Sequence, residues 1–204
     1  MKLRFVITCL LFISAVLQAQ NKYGAYVTLD DYRNDKITDI GDDISVKTSF
    51  LPKFLVGPYY SIIKVKDKTG KKRSIKAKSL DYWGIRDANG VVYKLRRHQC
   101  LEMILEGPVY YYVFNGDVSR NSTGEVRSIS WYHGSGTKFY GQKGLDGELI
   151  SMLGTIKKLY MLIDDDKEFL EETKNNIPFF STQTNEEMYF GILKSYNEKN
   201  KLKP

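Results

Sequence analysis

The chain has 204 residues, a net charge of +7, 42% hydrophobic residues and two cysteines. That length suits one medium domain, or a domain with a substantial appendage. Beyond the first twenty residues no apolar run approaches the length of a membrane span, and only Cys100 lies there, which excludes a disulfide framework.

Met1, Lys2, Leu3 and Arg4 form a basic head, residues 5–16 are almost all apolar, and Leu17, Gln18, Ala19 and Gln20 follow. These are the three parts of a secretory signal peptide, with cleavage expected after Ala19. The apolar core is shorter than the ~20 residues a transmembrane helix needs. Cys9 lies inside that core and not at its end, so lipoprotein-type cleavage is not expected. The expected domain plan is a signal peptide at 1–19, a β-rich unit at 20–144 and a helical segment at 145–204. The mature chain is expected in the periplasm or outside the cell, with no transmembrane segment.

Charge divides at the same boundary. Residues 20–144 hold 21 Lys or Arg against 13 Asp or Glu, whereas residues 145–204 hold 8 against 11. Short apolar segments at 24–29 and 44–50 open the β-rich unit, with Asp30 and Asp31 read as a solvated strand end. Residues 59–65 carry β-branched and aromatic bulk. From Ile63 onward Ile63 and Val65 alternate with Lys64 and Lys66, the turn Lys68-Thr69-Gly70-Lys71 follows, and residues 73–77 return with Lys76 and Lys78 on one side. This predicts a hairpin with a solvated basic face formed by Lys64, Lys66, Lys76 and Lys78.

Residues 80–86 and 91–97 flank Asn89-Gly90, a strong hairpin signal because both residues tolerate positive φ. Strands are expected at 100–105, 109–114, 127–132 and 137–140, with an exposed polar loop at 115–125. Strands spaced by turns and not by helices fit an antiparallel small barrel, rolled sheet or sandwich. The pattern changes at Leu145: Leu149, Met152, Leu153, Ile156, Leu159, Tyr160 and Ile163 recur at three- and four-residue steps, predicting an amphipathic helix. Leu153, Ile156 and Tyr160 are expected to pack on the sheet. A short helix over 167–175, capped by Asp165 or Asp166, and a last helix over 185–197 complete an α+β fold with about three C-terminal helices on the sheet.

Candidate chemistry is sparse. His98 and His133 lack a second ligand at metal spacing, and Asp164, Asp165 and Asp166 lack the glycine and closing glutamate of a calcium loop. Cys100 sits in an apolar run and reads as a small buried hydrophobe. No catalytic residue, metal or cofactor is expected. Glu102, Glu106 and Glu125 lie among apolar or aromatic stretches and keep a paired-carboxylate hydrolase open. Tyr110, Tyr112, Trp131, Tyr132 and His133 fall near strand termini and are candidates for a glycan or peptide groove; the alternative is that these rings cover the core.

Three segments carry a resemblance: residues 24–32 (Gly-Ala-Tyr-Val-Thr-Leu-Asp-Asp-Tyr), residues 82–90 (Tyr-Trp-Gly-Ile-Arg-Asp-Ala-Asn-Gly) followed by Tyr93-Lys94-Leu95, and residues 165–171 with a later Leu193-Lys194-Ser195-Tyr196-Asn197. In this order they resemble a family of exported proteins from Bacteroidetes bacteria whose function is unassigned. The resemblance implies an exported protein with a small β-rich unit followed by helices, and it transfers no site.

The expected function is a non-enzymatic binding or structural protein of the periplasm or cell envelope. An accessory or inhibitor docking on an envelope protein is the second reading, and a hydrolase with a carboxylate or His/Asp site the third. Export argues against nucleic acid as a partner; an anionic envelope surface, a glycan or an envelope protein fits the basic hairpin better.

Overall fold

The computed structural model describes residues 23–50, 59–130, 136–153, 156–177 and 185–201. The expected signal peptide and Trp131, Tyr132 and His133 lie outside the described residues. The strands are β1 (Gly24–Tyr26), β2 (Asp42–Phe50), β3 (Tyr59–Lys66), β4 (Lys72–Lys76), β5 (Gly84–Arg86), β6 (Val92–Arg96), β7 (Gln99–Leu105), β8 (Val109–Phe114), β9 (Asp117–Arg120), β10 (Val126–Ser130), β11 (Lys138–Lys143) and β12 (Ile150–Ser151). The helices are α1 (Leu29–Arg33), α2 (Lys157–Leu162), α3 (Lys167–Asn176) and α4 (Asn185–Asn200). The fold is α+β, an antiparallel sheet unit followed by a C-terminal cluster of helices packed against it.

Three hairpin turns share one chemistry. Asp67, Asp87 and Asn121 each open a four-residue loop that closes on Gly70, Gly90 or Gly124. Each side-chain oxygen accepts backbone N–H groups two and four residues on, at 2.9–3.0 Å. Each closing glycine has φ between +81° and +85°, where a Cβ would be strained. The turn at Asn121 joins β9 to β10, so the stretch expected as a polar loop is a hairpin.

Seven strands form the main sheet in the order β1-β5-β6-β7-β8-β11-β12, and β2-β3-β4 form a second, smaller sheet. One face of the main sheet is covered twice. Over its β1–β7 side, Ile44, Ile63 and Val65 of the small sheet pack on Ala25, Ile85 and Cys100. Over its β8–β12 side, Leu159 and Leu162 of α2, Leu170 of α3, and Tyr189, Leu193 and Tyr196 of α4 pack on Val109, Tyr111, Val113 and Phe139. Ser61 ties the two sheets together: its hydroxyl accepts the Cys100 N–H at 2.8 Å and its own N–H donates to the His98 carbonyl at 2.9 Å. The opposite face carries Leu101, Met103, Tyr110, Tyr112, Phe114 and Tyr140, against which Tyr32, Trp83, Leu145 and Leu149 pack.

The expected helix from Leu149 onward is corrected here. Residues 150–151 form the edge strand β12, pairing with Tyr140 and Gly141, and α2 begins only at Lys157. The apolar residues there obey period two as well as period three to four: Leu149 faces one core, Ile150 and Met152 the other. The open edge of β11 then decides, because strand pairing satisfies backbone groups such as the Met152 N–H, which donates to the Phe139 carbonyl at 2.9 Å. Leu153 is consequently 49% exposed and does not pack on the sheet, whereas Ile156 and Tyr160 pack against the helical core.

Smaller corrections have local causes. Thr28 and Asp31 form a reciprocal capping box that starts α1, so Asp30 and Asp31 lie in a helical first turn and not at a strand end. Only residues 84–86 of the segment expected at 80–86 are strand, preceded by a 3₁₀ turn at Ala77–Ser79. The cap expected at Asp165 or Asp166 is present at Asp166, which starts α3 by accepting the Phe169 N–H at 3.0 Å.

Candidate functional site

The small sheet has an inner and an outer face. Ile63, Val65 and Ile75 point to the core, so the residues that alternate with them, Lys64, Lys66, Ser74 and Lys76, point to the other face. Register places Lys47 opposite Ile62 and Ile62 opposite Lys76, giving a Lys-Ile-Lys row across three strands. The next rows pair Ser45, Lys64 and Ser74, then Asp42, Lys66 and Lys72. Lys47, Lys64, Lys72 and Lys76 are exposed, and among the described residues none has a carboxylate within salt-bridge reach. Lys66 differs: it is half-buried and bridges Asp43, whose carboxyl is held below its ordinary value by that lysine. Lys78 lies in the 3₁₀ turn, outside the strands, so it does not extend the face; Lys47 from β2 does. Strand spacing puts Lys47 and Lys76 roughly 10 Å apart across Ile62. Lys66 stands directly opposite Lys72, and Asp43, bridged to Lys66 and also stabilised by the Lys72 charge, offsets that like-charge pairing.

Behind this sheet, its inner edge borders a cavity of about 360 Å³ whose lining includes Val46, Lys47, Thr48, Tyr93, Glu102 and Val113, so Glu102 and Lys47 bring opposite charges to it. It sits in the gap between the two coverings of the main sheet. Ala25, Ile85, Tyr93, Glu102, Val113 and Phe139 stand in one register row across six strands, and Glu102 is its charged member. Burial raises the Glu102 carboxyl, while a hydrogen bond from Arg120 Nη2 at 2.8 Å opposes the shift. Arg120 also donates to the Met103 carbonyl at 3.0 Å through the same nitrogen and to the Gly124 carbonyl at 3.0 Å through Nη1.

The other sequence candidates have separate places. Tyr112 is fully buried and Tyr110 nearly so, both in the core of the opposite face; Tyr112 donates to Gln142 at 3.0 Å. Cys100 is buried in the inter-sheet core, and burial pushes its thiol up to about 12, far from a nucleophilic thiolate. Asp164 and Asp165 are bridged by Lys143 at 2.7 and 3.0 Å, and Asp165 accepts the Tyr196 hydroxyl at 2.6 Å. Among the described residues no cluster is arranged to hold a metal ion. Glu106 and Glu125 line a smaller cleft of about 210 Å³ beside α4, with Glu198, Lys194 and Lys201. All five are exposed.

Arg120 is the site residue that sequence reading missed, since it falls in the stretch expected as loop. The signal was present: Glu102 is a carboxylate inside the apolar run 100–105, and a buried carboxylate needs a partner. No helix among the described residues is long and apolar enough to cross a membrane. No family model matches this chain, and neither a curated protein nor a solved structure is significantly similar to it.

Proposed function

We propose that this chain is an exported, non-enzymatic protein of a bacterial cell envelope that holds to an anionic lipid surface through the outer face of its small sheet. The observation that carries the reading is the array of Lys47, Lys64, Lys72 and Lys76, four exposed ammonium groups on one side of three paired strands, none of them in a salt bridge among the described residues. Juxtamembrane lysines gain from the negative potential of anionic lipid within about a Debye length. The signal-like residues 1–19 support export, and the inward anchoring of β3 through Ser61 keeps the basic face rigid on its support.

The test uses residues 20–204 and vesicles of neutral lipid with or without about one-third anionic lipid, a fraction giving a strongly negative surface. Expected are binding to anionic vesicles alone, loss as salt rises from low to physiological strength, and a drop of at least about tenfold when Lys47, Lys64, Lys72 and Lys76 are changed to glutamine. Equal binding to both vesicle types, or binding by the quadruple variant equal to that of the parent, overturns the proposal. Mass spectrometry of envelope-derived protein is expected to find a chain beginning at Gln20; an intact Met1 there overturns export with cleavage.

A further inference from the structure

We propose that the outer edge of β2 is a strand-addition site for an extended peptide segment of another protein, one in which an acidic residue stands between small apolar ones. Two hydrogen bonds fix which way the β2 backbone points. The Ser61 N–H donates to the His98 carbonyl at 2.9 Å, so it does not pair with Thr48, its partner in register. Further along β2 the Ile44 carbonyl accepts the Ala88 N–H at 2.9 Å, on the side away from β3. Antiparallel partners alternate between bonded and non-bonded pairs, so Val46 and Thr48 both turn their N–H and C=O groups away from β3. None of these four groups is hydrogen-bonded to a described residue. Such a row of unpaired backbone groups is a template for one more strand.

The space beside that edge suits a strand. The cavity of about 360 Å³ has Val46, Lys47 and Thr48 on one side and Tyr93, Glu102 and Val113 of the main sheet as its floor. An antiparallel neighbour bonded to Val46 and Thr48 sets the residues opposite them over that floor, and sets the residue between them on the outer face beside Lys47. Glu102 is already paired with Arg120, so the floor asks for no charge, and Val46 and Val113 offer apolar contact to small side chains. Lys47 is exposed, makes no salt bridge to a described residue and ends the row Lys76-Ile62-Lys47. A carboxylate beside it extends that row with opposite charge. A second copy of this chain does not fit, because its own main sheet lies beneath its β2, where β7 and β8 of the first copy already form the floor.

This inference goes beyond the lipid-surface reading: it uses the backbone of β2 and the groove beside it, and no vesicle enters its test. Titrate ¹⁵N-labelled residues 20–204 with the peptide acetyl-Thr-Val-Glu-Val-Thr-amide. The match is the same peptide N-methylated at both valines, which keeps its side chains and loses the N–H groups that face β2. The parent peptide is expected to give saturable shifts at the Val46 and Thr48 amides and to slow their hydrogen exchange, and the N-methylated peptide to do neither. Replacing its glutamate by lysine is expected to weaken binding about fivefold, and Lys47→Glu to reverse that preference. Thr48→Pro removes only an outward N–H, a change edge strands tolerate, and is expected to abolish binding while the unfolding midpoint moves little. Absence of saturable shifts at Val46 and Thr48, equal affinity for the N-methylated peptide, or unchanged binding by folded Thr48→Pro overturns the proposal. Sedimentation as a dimer with both amides already protected overturns it in favour of a second copy. If Thr48→Pro does not fold, the N-methylated peptide decides.

Discussion

Asn197 joins the end of the chain to the middle of the main sheet, and its removal is predicted to be costly. It is 2% exposed on α4. Its Oδ1 accepts the Val109 N–H at 2.9 Å, and its Nδ2 donates to the Val109 carbonyl at 2.7 Å. The β7–β8 ladder is registered only as far as Leu105 and Tyr111, so Val109 turns to a side chain for the pairing a strand would have supplied. Asn197→Ala removes two net hydrogen bonds of about 1 kcal/mol each and strands two buried backbone groups at about 1–3 kcal/mol each. These terms overlap and a water molecule can recover part, so the expected cost is about 2–4 kcal/mol. In urea unfolding of residues 20–204 this lowers the midpoint at unchanged slope, and in hydrogen exchange the Val109 amide loses protection ahead of its neighbours. Asn197→Asp keeps the acceptor but sets a carboxylate against the Val109 carbonyl, so it is expected to be at least as damaging near neutral pH. A cost under about 0.5 kcal/mol for Asn197→Ala, the range of an ordinary surface substitution, refutes the account of this contact.

Two further predictions use the same unfolding measurement. Leu162→Ala, at a fully buried position on α2, is expected to cost about 2–5 kcal/mol, while Leu153→Ala, half exposed, is expected to stay within about 0.5 kcal/mol; similar costs would restore the long helix this structure replaces with a strand. Burial opposes ionisation of Asp165, but hydrogen bonds from Tyr196 and Lys143 outweigh it and hold its carboxyl below the ordinary value. Its contribution is therefore present above the unfolded carboxylate range near pH 4 and lost as pH falls through the lower folded value, so Asp165→Asn should flatten the decline of the unfolding midpoint below about pH 4.

Legibility followed how local each determinant is. The Asp67 and Asp87 turns, the Asp166 cap and the last helix are written within a few residues of where they act, and each was readable as a turn, cap or apolar stripe. Residues 149–153 were not, because their apolar spacing satisfies two periods and only the distant edge of β11 chooses between them. The basic face was read from Lys64, Lys66 and Lys76, where alternation is local. Lys47 joins it through a register with β3 that no short window contains, and Lys78 leaves it because the chain bends into a 3₁₀ turn. The pairing of Glu102 with Arg120 likewise depends on where the β9–β10 hairpin folds back.

The three self-bonded turns also set an order of assembly. A loop of four residues whose first side chain already holds the next backbone N–H groups closes with little loss of chain entropy, and hairpins form in about 1–10 μs. The β3–β4, β5–β6 and β9–β10 pairs can therefore zip from their own turns, each without help from the rest of the chain. The pairing of β1 with β5 is different, since Ala25 meets Ile85 only after the whole small sheet between them has been gathered in. Early hairpins and a late outer strand imply that β1 docks on an edge already built, after the small sheet has been gathered onto the face of the main sheet.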